Sequence, residues 1–319
     1  MTGVSNHESR TMDEDPRDSS PPSKWELVEY LCYILLSDVE IRFSPSMKHR
    51  PPIVTRDEIR NARDLCPHAM GGCKILEINE STILKVGHTV QMGEAEAMCL
   101  LKQRTAIPVP QVLNAYMIED IGFISMEKVP GVTLEQCWKG LTRDTKISIV
   151  QQLQHFTQEW RKIEGPFFGT VDGGPCPDVL FKHPWHPKPR RYGPFPTRKE
   201  FNEGVVEALC NSRPKEQLTA RDKPLAERIL VSGQDSQGER KVFTHGDLHP
   251  SNIIVKDNTI SGIIDWGAAG YSIPAREYFG IRWQALDLDW RDLTSTILEV
   301  DEYDFWAQVN QSMVDYTGI

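Results

Sequence analysis

Two rhythms of apolar and polar residues divide the chain. From 73 to 129 the apolar residues gather in short β-rich runs: Cys73–Ile78 and Ser81–Gly87 around a polar Asn79-Glu80 turn, then Val112–Ile118 and Phe123–Val129. Runs of this length bounded by turn residues predict strands, the first two forming a hairpin. One helical segment, Gln91–Arg104, lies among them. It ends before Ile107-Pro108-Val109-Pro110, because proline continues neither a helix nor a central strand. Beyond 130 the period lengthens. Ile149, Leu153, Phe156, Trp160 and Ile163 recur at steps of 4, 3, 4 and 3 behind a capping Thr142, which predicts a core-facing helix. Thr197–Leu209 and Leu218–Val231 read as further helices, the second interrupted at Pro224. Trp25–Leu36 and Arg56–Leu65 read as helices ahead of the strands. Short strands return at Ile253–Val255 and Ile260–Ile264, with a turn at Asp257-Asn258.

Composition narrows the class without naming an activity. The 319 residues suit one large domain or two lobes, and 39% hydrophobic with 25% charged residues is ordinary for a soluble globular protein. A net charge of −9 argues against nonspecific nucleic-acid binding or adsorption to an anionic membrane. The charge is uneven: residues 241–319 hold 12 Asp and Glu against 5 Lys and Arg. Seven scattered cysteines without a C-x-x-C pair fit a reducing compartment better than a disulfide framework or a zinc site. The N-terminus shows no signal-peptide pattern, and the most apolar window, Leu27–Leu36, is too short to span a bilayer. A soluble, cytoplasmic protein is expected, with residues 1–23, rich in Ser, Asp, Glu and Pro, disordered.

Chemistry concentrates in Val242–Gly270, V-F-T-H-G-D-L-H-P-S-N-I-I-V-K-D-N-T-I-S-G-I-I-D-W-G-A-A-G. Loops at the ends of one tight hairpin bring Asp247, Asn252 and Asp265 close together, an oxygen-rich set that suits Mg²⁺ bound with phosphate. H-x-D-x-x-x-x-N, followed 13 positions later by the Asp of a D-x-G triplet, is the spacing of the protein-kinase catalytic and metal-binding loops. The versions here, H-G-D-L-H-P-S-N and Asp265-Trp266-Gly267, resemble the aminoglycoside phosphotransferase and choline kinase branch of that fold. Upstream, Glu94-Ala95-x-x-Met98-x-x-Leu101 resembles the E-A-x-x-L-x-x-L helix of the small-molecule kinases, and the P-V-P element at 108–110 also matches.

The resemblance spans about Cys66 to Trp306. It implies an α+β, two-lobed protein-kinase-like fold, with a small antiparallel sheet in an N-lobe over 24–129 and a mainly helical C-lobe over 130–319. It also implies an enzyme that uses ATP and Mg²⁺ to phosphorylate a hydroxyl of a small molecule, cationic acceptors included, without nucleic-acid or membrane partners. In that family Asp247 would accept or orient the hydroxyl proton, and Asn252 and Asp265 would hold Mg²⁺. Lys85, fixed by Glu94, would position the α/β-phosphates, and the backbone of Glu127, Lys128 and Val129 would meet the adenine. Glu96 competes for Lys85 but lies on a different helix face. His245 braces the loop, and His249 either shapes it or touches the acceptor. Acids and aromatics near the C-terminus, among them Trp283, Asp287 and Trp290, would hold a cationic acceptor by ion pairing and cation–π contacts; a solvated acidic face with core tryptophans is the competing expectation.

Two departures matter. A full G-x-G-x-x-G is absent, leaving only Gly71-Gly72 near the expected phosphate-covering loop. Pro274 and Glu277 follow Asp265 so closely that no protein-kinase activation segment fits, which disfavours a protein kinase; Gly270, Pro274 and Glu277 resemble the family's turn after its D-W triplet, which implies a structural anchor at Glu277. A catalytically silent kinase-like scaffold is the other alternative, opposed by the presence together of Lys85, Asp247, Asn252 and Asp265. The proline-marked stretch 172–198, with Lys182, His183, Trp185, His186, Lys188, Arg190, Arg191 and Tyr192, reads as a solvated loop near the substrate entrance or as a phosphate contact.

Overall fold

The computed structural model describes residues 40–67, 72–181, 190–233, 240–283, 287–295 and 303–317. The expectations for 1–23, for the Trp25–Leu36 helix, for Gly71 and for Lys182, His183, Trp185, His186 and Lys188 lie outside them. The first part of the chain builds one antiparallel sheet: β1 (Ile41–Phe43), β2 (Arg63–Asp64), β3 (Cys73–Asn79), β4 (Thr82–Gly87), β5 (Val112–Ile118) and β6 (Ile121–Glu127), ordered β1-β5-β6-β4-β3-β2. Helices α1 (Arg56–Asn61) and α2 (Met92–Arg104) accompany it. Strand alternation sets the two faces: Leu84 and Val86 of β4 enter one apolar core with Leu76, Tyr116 and Phe123, so Lys85 between them turns to the opposite face.

The second part is mainly helical, with α3 (Leu134–Cys137), α4 (Arg143–Trp160), α5 (Arg198–Asn211), α6 (Lys223–Val231), α7 (Ala275–Trp283), α8 (Leu288–Thr294) and α9 (Tyr303–Thr317). Two small antiparallel sheets are set among them. One is β10-β9-β7, from β7 (Val132–Thr133), β9 (Ile253–Lys256) and β10 (Thr259–Ile263); the other pairs β8 (Val242–Thr244) with β11 (Gly270–Ser272). Helix α4 forms as its stripe predicts. The Thr142 hydroxyl accepts the Thr145 N–H at 3.2 Å, and Ile149, Leu153 and Trp160 are buried. One apolar core joins the two parts, running from Met98, Leu101 and Ile124 to Leu153, Ile253 and Trp266. The architecture is therefore α+β, a sheet lobe followed by a helical lobe, as expected.

Three predicted elements differ. The helix expected over Arg56–Leu65 stops at Asn61, because Ala62 is extended and Arg63–Asp64 join the sheet edge opposite Leu76 and Glu77. Leu218–Val231 is not a helix broken at Pro224: α6 begins at Lys223 and carries Pro224 in its first turn, where a missing N–H leaves no helical bond unmade. The strand expected to run to Val129 ends at Glu127, and residues 128–131 leave the sheet as the linker between the lobes.

Candidate active site

The hairpin β9–β10 sets the positions of Asn252 and Asp265. Ile253 pairs with Ile263, and one rung further the Ile264 N–H donates to Asn252 O at 2.9 Å. Asn252 and Asp265 therefore emerge side by side from the same end of the hairpin. The loop before Asn252 is held from beneath. His245 is fully buried, and burial pushes its imidazole down to about 4, so the ring is neutral. Nε2 lies 3.0 Å from Ile264 O, and Nδ1 accepts the Asp247 N–H at 3.2 Å, which fixes the proton on Nε2. The ring rests on Trp266 with centroids 4.3 Å apart. These contacts give His245 its bracing place.

A buried carboxylate completes the support. Oε2 of Glu277 accepts the His245 N–H at 2.7 Å and the Trp160 Nε1–H at 2.9 Å. Burial pushes this carboxyl up to about 7. Gly246 has φ +79°, and a Cβ there would lie 2.4 Å from Ala268 O, so only glycine fits between the catalytic loop and the D-W-G turn. Asp247 follows with 28% of its side chain exposed. Nδ2 of Asn252 donates to Asp247 O at 2.9 Å, which leaves Oδ1 as the outward oxygen of that amide. His249 Nε2 sits 3.1 Å from Asn252 Nδ2 and 3.8 Å from Asp247 Oδ2, within the same loop.

Lys85 meets this loop from the other lobe. Its Nζ donates to Glu94 at 2.9 and 2.8 Å and to Asp265 Oδ1 at 2.7 Å. Burial works against the lysine charge, but the two carboxylates outweigh it and hold the ammonium protonated. Burial also pushes the Glu94 carboxyl up while Lys85 pulls it down; the two-toothed contact is that of an ion pair. Burial opposes the charge on Asp265 as well, and Lys85 overcomes it to hold the carboxyl below its ordinary value. Asp265 takes a left-handed backbone, φ 59° and ψ 67°, and keeps 48% of its side chain open. The outward Asn252 amide oxygen and the open Asp265 carboxylate form a hard oxygen set that fits Mg²⁺. Among the described residues no group of three or more His, Cys, Asp and Glu could hold a metal alone, so an ion here would draw its remaining ligands from phosphate and water.

Around this centre the other expected residues fall differently. At the linker, the Glu127 N–H donates to Gln111 O at 2.9 Å and the Lys128 N–H to Ser81 O at 2.8 Å, while the Lys128 ammonium pairs with Glu77. Of the backbone expected to meet adenine, the N–H groups of Glu127 and Lys128 are thus spent inside the protein, and Val129 packs on Gly262. Trp290 does not line an acceptor cleft: it has no exposed surface, its Nε1 donates to Ile281 O at 3.1 Å, and it packs edge-on against Trp138. Asp287 caps α8 by accepting the Trp290 N–H at 3.1 Å, and Trp283 closes α7.

Solved structures share the shape. Among solved structures, the streptomycin–ATP ternary complex of APH(2'')-IIa superposes with a TM-score of 0.52 at 19% identity, covering 79% of this chain and 80% of that one. A thermostable mutant of the aminoglycoside phosphotransferase APH(4)-Ia with ADP and hygromycin B gives 0.54 at 14% identity, covering 80% and 83%. A second mutant, with AMP-PNP and hygromycin B, gives 0.54 at 16% identity, covering 80% and 87%. At these identities the likeness establishes a common fold. No curated protein matches the sequence. The model of the phosphotransferase enzyme family, APH, matches residues 80–299, from the turn before Lys85 past the D-W-G triplet, and the chain belongs to that family.

Proposed function

We propose that the protein transfers the γ-phosphate of ATP to a hydroxyl of a small molecule. The observation that carries this is the joining of Lys85, Glu94 and Asp265 in one ion-paired group beside Asn252 and Asp247. Lys85, held in place by Glu94, positions the α/β-phosphates, and the backbone around Val129 meets the adenine edge. Asn252 Oδ1 and the open Asp265 carboxylate are the groups that would hold Mg²⁺, which neutralises charge on the β/γ-phosphates when bound. The Asp247 carboxylate orients the acceptor hydroxyl and takes its proton as the acceptor oxygen bonds to phosphorus and the bond to the ADP oxygen breaks. No phospho-enzyme is formed. Support for a small acceptor comes from the short stretch between Asp265 and α7, and from the streptomycin and hygromycin B bound by proteins of the same fold. Polyhydroxylated amines lead the acceptors to try, with choline and amino sugars beside them.

Nucleotide affinity tests the donor half. The wild-type protein should bind ATP in the presence of Mg²⁺, and Lys85→Met and Asp265→Asn should each weaken binding by about tenfold or more, since each removes a charged contact to phosphate or metal. A wild-type protein that binds no Mg-ATP would end both the enzyme and the nucleotide-binding scaffold accounts.

A further inference from the structure

Glu96, the competitor of Glu94 for Lys85, has a different set of partners. Two residues along a helix turn about 200° around its axis, so Glu94 and Glu96 leave α2 on opposite faces. Glu94 faces inward and is 4% exposed against Lys85. Glu96 faces outward and gathers three donors from one short segment of chain: the Ser46 N–H at 2.8 Å, the Ser46 hydroxyl at 2.7 Å and the Ser44 hydroxyl.

That segment is itself tied to the sheet. The Ser44 N–H donates to Ala115 O at 2.9 Å, extending the β1–β5 ladder by one rung, and Met47 packs against the core shared by the lobes. Further along, Asn114 Nδ2 donates to Pro52 O at 2.9 Å and to Pro51 O at 3.2 Å, and the Val54 N–H donates to the Tyr116 hydroxyl at 3.0 Å. Residues 41–54 therefore form a belt across the back of β5, and Glu96 is the point where the belt grips α2. One turn earlier on nearly the same side of α2, Gly93 is bounded by the C-lobe: a Cβ there would lie 3.0 Å from Thr170. The inward face carries the Lys85 ion pair. The three bonds to Glu96 tie this helix to the belt, beside the buried packing of Ala95, Ala97, Met98 and Leu101 on the shared core.

We propose that Glu96 is a positioning residue for the nucleotide site, fastening α2 to the Ser44–Met47 belt so that Glu94 stays on Lys85. The proposal rests on the phosphotransfer reading above. It gives the N-terminal belt a share in nucleotide affinity although no residue of the belt touches Lys85.

Binding of a fluorescent ATP analogue with Mg²⁺ to the full chain tests it. Ser46→Asp places a second carboxylate against Glu96 and should weaken binding about three- to thirtyfold, the range of couplings carried through a packed element. Adding Glu96→Gln, whose amide can donate to the new carboxylate, should restore affinity to within about threefold of wild type. The decisive arm is the Glu94→Gln background, where Ser46→Asp should cause no further loss, because its route to Lys85 is already cut. If Ser46→Asp does not fold, Ser46→Ala, which removes the hydroxyl donor without adding charge, takes its place in the wild-type and Glu94→Gln backgrounds with a smaller loss expected. Wild-type affinity in the Ser46 variant, no rescue by Glu96→Gln, or an equal loss with and without Glu94 would each overturn the proposal. A wild-type protein that takes up no nucleotide contradicts the phosphotransfer reading instead.

Discussion

Gly246 shows how little freedom a single residue has inside the catalytic loop. With φ +79° and Ala268 O only 2.4 Å from any Cβ, a methyl group forces the loop and the D-W-G turn apart. Gly246→Ala should therefore lower the rate of transfer about a hundredfold or more, through displacement of the neighbouring Asp247, and lower nucleotide affinity by a smaller factor through the shift of the D-W-G turn. Steady-state kinetics beside equilibrium binding separates the two effects. Glu277 offers a second test, through pH. Its carboxyl moves from an ordinary 4.5 up to about 7, so between those values the folded protein keeps a proton that the unfolded chain has lost. The contribution of this group to stability therefore falls as pH rises through that window. His245 has the opposite sign. Its shift from 6.5 down to about 4 gives stability that is present above 6.5 and is lost as pH falls towards 4. In melts at pH 5, 6 and 7, the wild-type melting temperature should decline relative to that of Glu277→Gln as pH rises; a constant difference would refute the assignment. Residues whose partners are close in sequence were the legible ones. The Lys85–Glu94 pair spans nine positions and could be read from the chain; the partners of Glu96 lie some fifty positions upstream and could not. Trp290 misled because a core tryptophan and a cleft tryptophan look alike in composition. Burial alone distinguishes them.

At the scale of elements, periodicity succeeded where an amphipathic segment packs on one core. Helix α4 begins at its predicted cap, and Val112–Ile118 has its predicted bounds. Thr142→Ala should cost about 1 kcal/mol of stability, the usual loss of a helix cap, and leave nucleotide affinity unchanged, since α4 supports the loop through Trp160 at its far end. Chemical denaturation with a parallel binding curve checks both halves. Periodicity failed at edges. β2 is only two residues long and follows a capped helix, so nothing in its side chains separates it from a continuing turn; cross-strand pairing with Glu77 and Leu76 creates it. The linker failed for a related reason. Which of its backbone N–H groups are spent inside the protein depends on Gln111 and Ser81, residues that the chain brings near only when folded.

Across the whole molecule, the order of elements carried most of the architecture, because strands before helices and a kinase-like spacing leave few ways to arrange two lobes. What the order did not reveal is that the lobes share a core. Met98 and Leu101 of α2 lie in the same cluster as Leu153, Ile253 and Trp266, so the element bearing Glu94 and the hairpin bearing Asn252 rest on one packed base. That base is why Lys85 reaches Asp265 from 180 positions away at 2.7 Å. No described helix is long and apolar enough to cross a membrane. The central claim, γ-phosphate transfer to a small hydroxylated acceptor with Asp247 as the base, meets its most direct test in one measurement. The wild-type protein and Asp247→Ala are given Mg²⁺, γ-labelled ATP and a panel of aminoglycosides, choline and amino sugars, and labelled product is counted beside nucleotide affinity. Label should appear in an acceptor with the wild type and fall by about a thousandfold or more with Asp247→Ala, at similar nucleotide affinity. Transfer that survives Asp247→Ala, or wild-type binding of ATP with no labelled acceptor across the panel, would contradict it.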